Sequence, residues 1–212
     1  MIKRIIFDLD FTIFNWLDPW SKDFQGFFEA NNIELTKEVD EKLEDIFTNY
    51  EKNNLYMTSD LISKEIHNAF GVPISPLLME KYTETRYTCN AELFPNAKET
   101  LEYLSSKYEV VALSNWVEEH QEIVLERFGI RKYFKECYYP EKFPMKPHPH
   151  SYEKARGEHL PKECMMIGDN VTNDVIAPIA CGMNAILFDP FNKHKQVKCN
   201  KIKNLIELQE IL

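Results

Sequence analysis

Paired cysteines, a long apolar segment and an excess of basic residues are all missing from this 212-residue sequence. Its five cysteines are scattered and form no C-x-x-C pair, which argues against a disulfide framework or a zinc site. No apolar run approaches the roughly 20 residues that a membrane-spanning helix needs, and the chain enters a predicted strand without the apolar segment of a secretory signal. We therefore expect a cytoplasmic protein with reduced cysteines.

The chain carries 25 Lys and Arg residues against 34 Asp and Glu residues, a formal net charge of −9. This negative balance disfavours nonspecific binding to nucleic acid or to an anionic membrane. Hydrophobic residues make up 44% and charged residues 28% of the chain, which is ordinary for a soluble globular protein. A small molecule is the expected partner, and the sequence does not indicate an oligomeric state.

The hydrophobic pattern divides the chain into a core that is interrupted by a helical insertion. Residues 16–90 show apolar residues at helical spacing and little that resembles a strand, with a fourth helix expected from about Ser75 toward Cys89. From Phe94 onward, short apolar strands alternate with amphipathic helices, as in a parallel sheet covered on both faces. The pattern predicts an α/β core at residues 1–15 and 91–212, with the helical unit at residues 16–90.

The most informative motif is a pair of carboxylates, Asp8 and Asp10, at the end of the apolar run that begins at Ile5. Strand alternation places both side chains on one side if the strand persists, so they repel each other unless a cation or a proton lies between them. In parallel α/β sheets the carboxyl ends of strands are where ligands bind. The pair therefore indicates a divalent-metal site, the alternative being a hydrated pair that ends a strand.

Three further motifs are Ser114-Asn115, Lys146-Pro147, and Gly168-Asp169 followed by Asn173-Asp174. Each is weak alone, because such residues commonly end strands, cap helices or lie in solvent. All four motifs, in this order and at predicted strand ends or loops, resemble the haloacid dehalogenase-like hydrolase superfamily, in the subgroup with a helical cap inserted after the first core strand. The resemblance covers essentially the whole chain and implies a Rossmann-like parallel sheet with helices on both faces.

The resemblance also implies a role for each motif residue. Asp8 would be the nucleophile that forms an aspartyl-phosphate, and Asp10 the general acid and base. Ser114 and Asn115 would bind nonbridging phosphate oxygens, and Lys146 would neutralise both the nucleophile and the phosphoryl group.

Mg²⁺ is the cofactor that the resemblance implies. Its ligands would be Asp8, the backbone carbonyl of Asp10, and Asp169, because Mg²⁺ favours oxygen ligands. Asp174 would lie near the ion or orient its waters. Thr12 would order the catalytic loop.

Two residues depart from the common family pattern: Phe11 stands where glycine is frequent, and His148 stands where aspartate is frequent. Neither change removes a catalytic group, and His148 is interpreted as a loop residue. Four aromatic residues lie close to the motifs in sequence and are candidates to line a substrate pocket. They are Phe11, Phe14, Trp16 and Trp116.

The function expected from the resemblance is magnesium-dependent hydrolysis of a small phosphorylated metabolite. A phosphomutase or other phosphotransferase would use the same core with a different acceptor. A 2-haloacid dehalogenase would use Asp8 on carbon but needs neither Asp10 nor Asp169. A noncatalytic binding protein of the same fold is the alternative from another class.

Overall fold

A computed structural model of the chain describes residues 1–52, 59–75, 77–78, 81, 90–140 and 144–212. Eight strands lie within these residues: β1 (Arg4–Phe7), β2 (Phe14–Trp16), β3 (Ala91–Leu93), β4 (Glu109–Leu113), β5 (Glu136–Tyr138), β6 (Cys164–Gly168), β7 (Asn184–Phe188) and β8 (Lys201–Ile202). Six of them form one sheet in the order β5-β4-β1-β6-β7-β8, and all of its neighbours pair in parallel. The remaining two, β2 and β3, form an antiparallel ribbon.

Strand β1 lies in the middle of the sheet, and its side chains are buried on both faces. Ile5 and Phe7 pack in one apolar cluster, whereas Ile6 packs in another on the opposite face. Successive side chains of a strand point to opposite faces, so an uninterrupted apolar run suits a strand that is covered on both sides. The predicted α/β fold with a Rossmann-like parallel sheet is confirmed.

Helices follow the strands of the parallel sheet, as the alternating sequence pattern predicts. The α-helices of this part are Ala97–Ser105, Glu118–Arg127, Pro149–Arg156, Ala177–Ala180 and Leu208–Ile211. Short 3-10 helices span Arg131–Tyr133, Pro161–Glu163 and Leu205–Glu207, and a π-helical segment spans Val171–Ile176.

The segment between β2 and β3 is helical wherever it forms regular structure in the described residues. Its helices are Trp20–Asp23, Gln25–Ala30, Lys37–Lys52 and Ser59–Phe70. They share an apolar cluster of their own, built around residues such as Phe28, Leu43 and Ile66. Most of the fourth helix expected from Ser75 toward Cys89 lies outside the described residues. The division at residues 16 and 90 stays a prediction, and the ribbon pairs Trp16 with Ala91 at that point.

His148, predicted to be a loop residue, is the non-helical N-cap that precedes the helix Pro149–Arg156, and its Nδ1 accepts the His150 backbone N–H at 3.2 Å. Proline at the first helical position suits this start, because that position needs no N–H donor. Among the helices of the described residues, none combines the length and the apolar character needed to cross a membrane.

Candidate active site

Lys146 is a buried lysine whose ammonium group contacts two carboxylates. Its Nζ lies 2.6 Å from Asp8 Oδ1 and 2.8 Å from Asp174 Oδ1. Burial alone would lower the pKa of Lys146, but the negative charges of Asp174 and Asp8 outweigh it and raise that pKa above its usual value. Lys146 is therefore a fixed positive charge at neutral pH.

Three carboxylates converge at the carboxyl edge of neighbouring strands β1 and β6. Asp8, Asp169 and Asp174 each offer an oxygen, and these oxygens lie within 4.8 Å of one another. Burial raises the pKa of Asp8 well above its usual range, Lys146 opposes this rise, and the neighbouring carboxylates, Asp10 included, add to it. Burial likewise raises the pKa of Asp169 to about 7, with the charge of Asp174 acting in the same direction.

This donor set is chemically suited to a hard divalent cation. All its atoms are carboxylate oxygens, the ligand type that Mg²⁺ prefers. One lysine cannot balance three carboxylates, and the neighbouring negative charges add to the effect of burial in raising the pKa values of Asp8 and Asp169. The residues present therefore fit a bound Mg²⁺ ion.

Gly168 allows Asp174 to approach the end of β6. A Cβ atom at position 168 would lie 2.3 Å from both Cγ and Oδ2 of Asp174, which is far inside contact distance. Asp174 is held there by the Asn170 backbone N–H, which donates to Oδ2 at 3.0 Å. The Asn170 side chain in turn accepts the N–H groups of Thr172 and Asn173 and caps the π-helical segment.

The loop after β1 holds the nucleophile candidate and its neighbours. The buried Thr12 hydroxyl donates to Asp8 Oδ2 at 3.2 Å, and its role in ordering this loop stays a prediction. Phe11 adopts a left-handed conformation with φ of 59° and its side chain is 49% exposed. Phe14 differs from the expectation of a pocket residue, because it is fully buried against Phe128 in the core.

Asn115 contacts the backbone of Lys146 with both polar atoms of its side-chain amide. Its Oδ1 accepts the Lys146 N–H at 2.8 Å, and its Nδ2 donates to the Lys146 carbonyl oxygen at 2.9 Å. These bonds tie Asn115 to the backbone of the lysine, and the phosphate contact that the resemblance implies stays a prediction. Ser114 is buried directly after β4, and its Oγ accepts the Trp116 backbone N–H at 3.0 Å.

Asp10 is contacted by two side chains from different parts of the chain. The Trp16 indole Nε1 donates to Asp10 Oδ1 at 2.8 Å, and the Gln121 Nε2 donates to Oδ2 at 2.5 Å. Trp16 was expected in the pocket, whereas here its N–H contacts the acid/base candidate. Gln121 was not predicted. In the sequence it stands out only as a polar residue about one turn into the helix that follows Ser114.

Trp116 lies where the core and the helical insertion meet. Its side chain packs against the main core cluster and against the cluster of the insertion, with its ring centroid 6.0 Å from that of Phe47. The ring of His120 lies next to it, and burial lowers the pKa of His120 to about 4. Trp116 is thus placed to contact both units at once.

The edge of this parallel α/β sheet thus gathers three carboxylates, a buried lysine and a serine, a set of groups suited to a cation and an anion. The chain belongs to the haloacid dehalogenase-like hydrolase family, whose model matches residues 5–188. The family resemblance of the four motifs is confirmed by this match, and so is the assignment to the hydrolases. The subgroup with the inserted cap stays a prediction.

Individual relatives agree with this family. The chain is 37% identical over 99 residues to a phosphoglycolate phosphatase of Haemophilus influenzae, and the match covers 44% of this chain and 44% of that protein. The matched part of the chain therefore spans less than half the length of that relative.

Solved structures show the same fold over the whole chain. The protein YfnB of Bacillus subtilis, bound to magnesium, superposes with a TM-score of 0.82 at 20% identity, covering 100% of this chain and 98% of YfnB. An L-2-haloacid dehalogenase of Xanthobacter autotrophicus superposes with a TM-score of 0.73 at 14% identity, with coverage of 100% and 98%. At these identities the likeness establishes the fold and nothing finer.

Proposed function

We propose that this protein is a magnesium-dependent phosphatase that hydrolyses a small phosphomonoester through an aspartyl-phosphate on Asp8. The single observation that carries the proposal is the bridge formed by Lys146 between Asp8 and Asp174. A fixed cation beside a carboxylate at a strand end is what an incoming phosphate dianion requires, since the two anions would otherwise repel. The Haemophilus influenzae relative, a phosphoglycolate phosphatase, supports this reaction class.

The reaction proceeds in two displacements at phosphorus. In the first, a carboxylate oxygen of Asp8 forms a bond to phosphorus, the ester bond breaks, and the departing oxygen takes a proton from Asp10. In the second, Asp10 removes a proton from water, the water oxygen bonds to phosphorus, and the acyl-phosphate bond breaks. Inorganic phosphate leaves, and both aspartates return to their starting states.

The surrounding residues stabilise the charge that moves during these steps. Lys146 neutralises Asp8 and the phosphoryl oxygens, and Ser114 offers its hydroxyl to a phosphoryl oxygen. Asp8, Asp169, Asp174 and the carbonyl of Asp10 would hold Mg²⁺, which when bound supplies positive charge that offsets the repulsion between phosphate and carboxylates.

The helical insertion at residues 16–90 is proposed to cover the site as a cap and to select the substrate. Trp116 and the exposed ring of Phe11 are proposed to contact the organic part of the substrate, because both adjoin motif residues. A phosphotransferase would share these residues, and a 2-haloacid dehalogenase would need neither Asp10 nor Asp169. We also propose a reducing, cytoplasmic setting, which is supported by the free thiols of the four described cysteines.

Phosphate release from a panel of phosphorylated metabolites tests this proposal. We expect wild-type protein with Mg²⁺ to release phosphate, and Asp8→Asn or removal of Mg²⁺ with EDTA to abolish the release. Asp45→Asn, at an exposed position on the helix Lys37–Lys52, is the matched control and should keep full activity. Adding a sugar-phosphate acceptor separates a phosphotransferase from a phosphatase. Equal phosphate release by wild type and Asp8→Asn would contradict the proposal.

A further inference from the structure

We propose that Gln121 is a positioning residue for Asp10, acting with the indole of Trp16; this inference rests on the function proposed above. Gln121 is fully buried near the start of the helix Glu118–Arg127. Its Nε2 lies 2.5 Å from Asp10 Oδ2, and the Trp16 Nε1 lies 2.8 Å from Asp10 Oδ1. Each oxygen of the acid/base thus accepts a hydrogen bond from a side chain that takes no part in the chemistry.

The orientation of the Gln121 amide follows from the charge of its neighbour. In the ionised form of Asp10, which acts in the second displacement, an N–H group is attracted to the carboxylate, whereas an amide oxygen at the same 2.5 Å would be repelled by it. The same nitrogen lies 3.2 Å from Ser114 Oγ, so its second hydrogen has a partner as well. One buried amide therefore ties the acid/base to the serine after β4.

This arrangement also fixes the direction of the Ser114 hydroxyl. Its oxygen accepts from Gln121 and from the Trp116 backbone N–H. A hydroxyl has two lone pairs and one hydrogen, so an oxygen that already accepts twice has its O–H left for donation. A phosphoryl oxygen accepts hydrogen bonds, so it requires a hydroxyl that donates. Gln121 thus orients two groups of the site at once.

The two donors come from different parts of the fold, and each is held by its own element. Trp16 belongs to the ribbon strand β2, and its ring packs edge-on against the buried Phe14 with centroids 6.2 Å apart. Gln121 is anchored in a helix of the core. Rigid donors matter because a misplacement of about 1 Å can cost about 100-fold in rate.

Two substrates with different leaving groups distinguish a positioning role of Gln121 from a merely structural one. The leaving group of p-nitrophenyl phosphate departs without a proton, whereas an alkyl phosphate needs the proton of Asp10. The ratio kcat/KM covers only the steps through loss of the leaving group, so the second displacement does not mask the effect. We expect Gln121→Leu to lower kcat/KM about 10- to 100-fold for the alkyl ester and by a much smaller factor for the aryl ester.

Matched variants complete the design. Trp16→Phe keeps the aromatic packing but removes the indole N–H, and it should shift the ratio between the two esters in the same direction. Glu126→Gln changes an exposed residue on the same helix and should leave both values unchanged. An equal loss with both esters in Gln121→Leu, or no loss with either, would overturn the inference.

A crystal structure of Gln121→Leu gives a second, independent readout. We expect the Asp10 carboxylate to be displaced while Lys146 keeps its contact with Asp8. An unmoved Asp10 would overturn the inference, with wild-type activity and its loss in Asp8→Asn still intact. Wild-type protein that is inactive on both esters would instead contradict the proposed function, and this inference with it.

Discussion

The ammonium group of Lys146 lies between Asp8 and Asp174, at 2.6 Å from one carboxylate and 2.8 Å from the other, with all three side chains buried. Asp8 comes from the loop after β1, Asp174 from the π-helical segment after β6, and the lysine from a loop between β5 and the helix Pro149–Arg156. Three separate parts of the sequence thus meet in one ion-pair network. We expect its charges to affect both the stability of the site and its chemistry.

Replacement of Lys146 by methionine should destabilise the protein and abolish phosphate release. Asp8 and Asp174 would remain buried without their cation, and breaking a buried ion pair costs about 3–5 kcal/mol. Urea unfolding in EDTA measures the free energy of unfolding. Lys154→Met, at an exposed position, is the control and should leave stability unchanged. Equal stability of Lys146→Met and wild type would show that the network is not stabilising.

Substitution of Gly168 by alanine should displace the side chain of Asp174. The added methyl group would lie 2.3 Å from Asp174 atoms that Lys146 and the Asn170 N–H hold in place. We expect a loss of about 1–3 kcal/mol in the free energy of unfolding, as for other overpacked sites, together with weaker Mg²⁺ binding. Isothermal titration with Mg²⁺ and thermal unfolding provide the two readouts. Unchanged Mg²⁺ affinity would argue against Asp174 as part of the cation site.

Glu109, which lies away from the candidate site, gives a prediction about how the stability of the fold depends on pH. Hydrogen bonds from Lys135, His159 and Arg4 lower the pKa of Glu109 from 4.5 to about 2. Between these two values the unfolded chain binds more protons than the folded chain, so the contribution of Glu109 to stability is present above about pH 4.5 and is lost as the pH falls toward 2.

Glu109→Gln tests that contribution directly. At neutral pH the variant should be less stable than wild type, because the buried Arg4 guanidinium loses its charged partner. The difference between variant and wild type should shrink as the pH falls from about 4.5 toward 2, as measured by urea unfolding in a pH series. A difference that stays constant over this range would contradict the assignment of the lowered pKa.

Phe11 occupies a backbone conformation that favours glycine. A left-handed conformation costs a residue with a Cβ about 1–2 kcal/mol, and the φ of Phe11 is 59°. Phe11→Gly should therefore raise the free energy of unfolding by about 1 kcal/mol after the entropy cost of glycine. Phe11→Ala keeps the Cβ and should show no such gain. If glycine is no more stable than alanine here, the turn is not strained.

The sequence was sufficient for the architecture, because the signals that define it are local. An apolar run such as β1, buried on both faces, and amphipathic helices such as Ala97–Ser105 follow from residue periodicity. Strand β5 and the ribbon strand β2 are three residues long, and so short a segment carries too little periodicity to be recognised.

Strand order explains the proximity of those site residues that directly follow a strand. Asp8 and Asp169 follow β1 and β6 directly, and these strands are neighbours, so strand order brings the two carboxylates together. Gln121, one of the two side chains that contact Asp10, could not be found in this way. Gln121 reaches Asp10 from a position 111 residues later, and its inward direction depends on tertiary packing that no local pattern encodes. The use of Asn115 as a clamp on the Lys146 backbone depends on packing in the same way.

The identity of the phosphorylated residue tests the central claim most directly. Wild-type protein is mixed with Mg²⁺ and a phosphomonoester that it hydrolyses, quenched during turnover, and treated with sodium borohydride, which reduces an acyl phosphate to an alcohol. Mass spectrometry of the peptides then locates the reduced side chain. We expect it at position 8 in the wild type and nowhere in Asp8→Asn. Reduction at another carboxylate, or steady hydrolysis with no reduced residue, would contradict the nucleophilic role of Asp8.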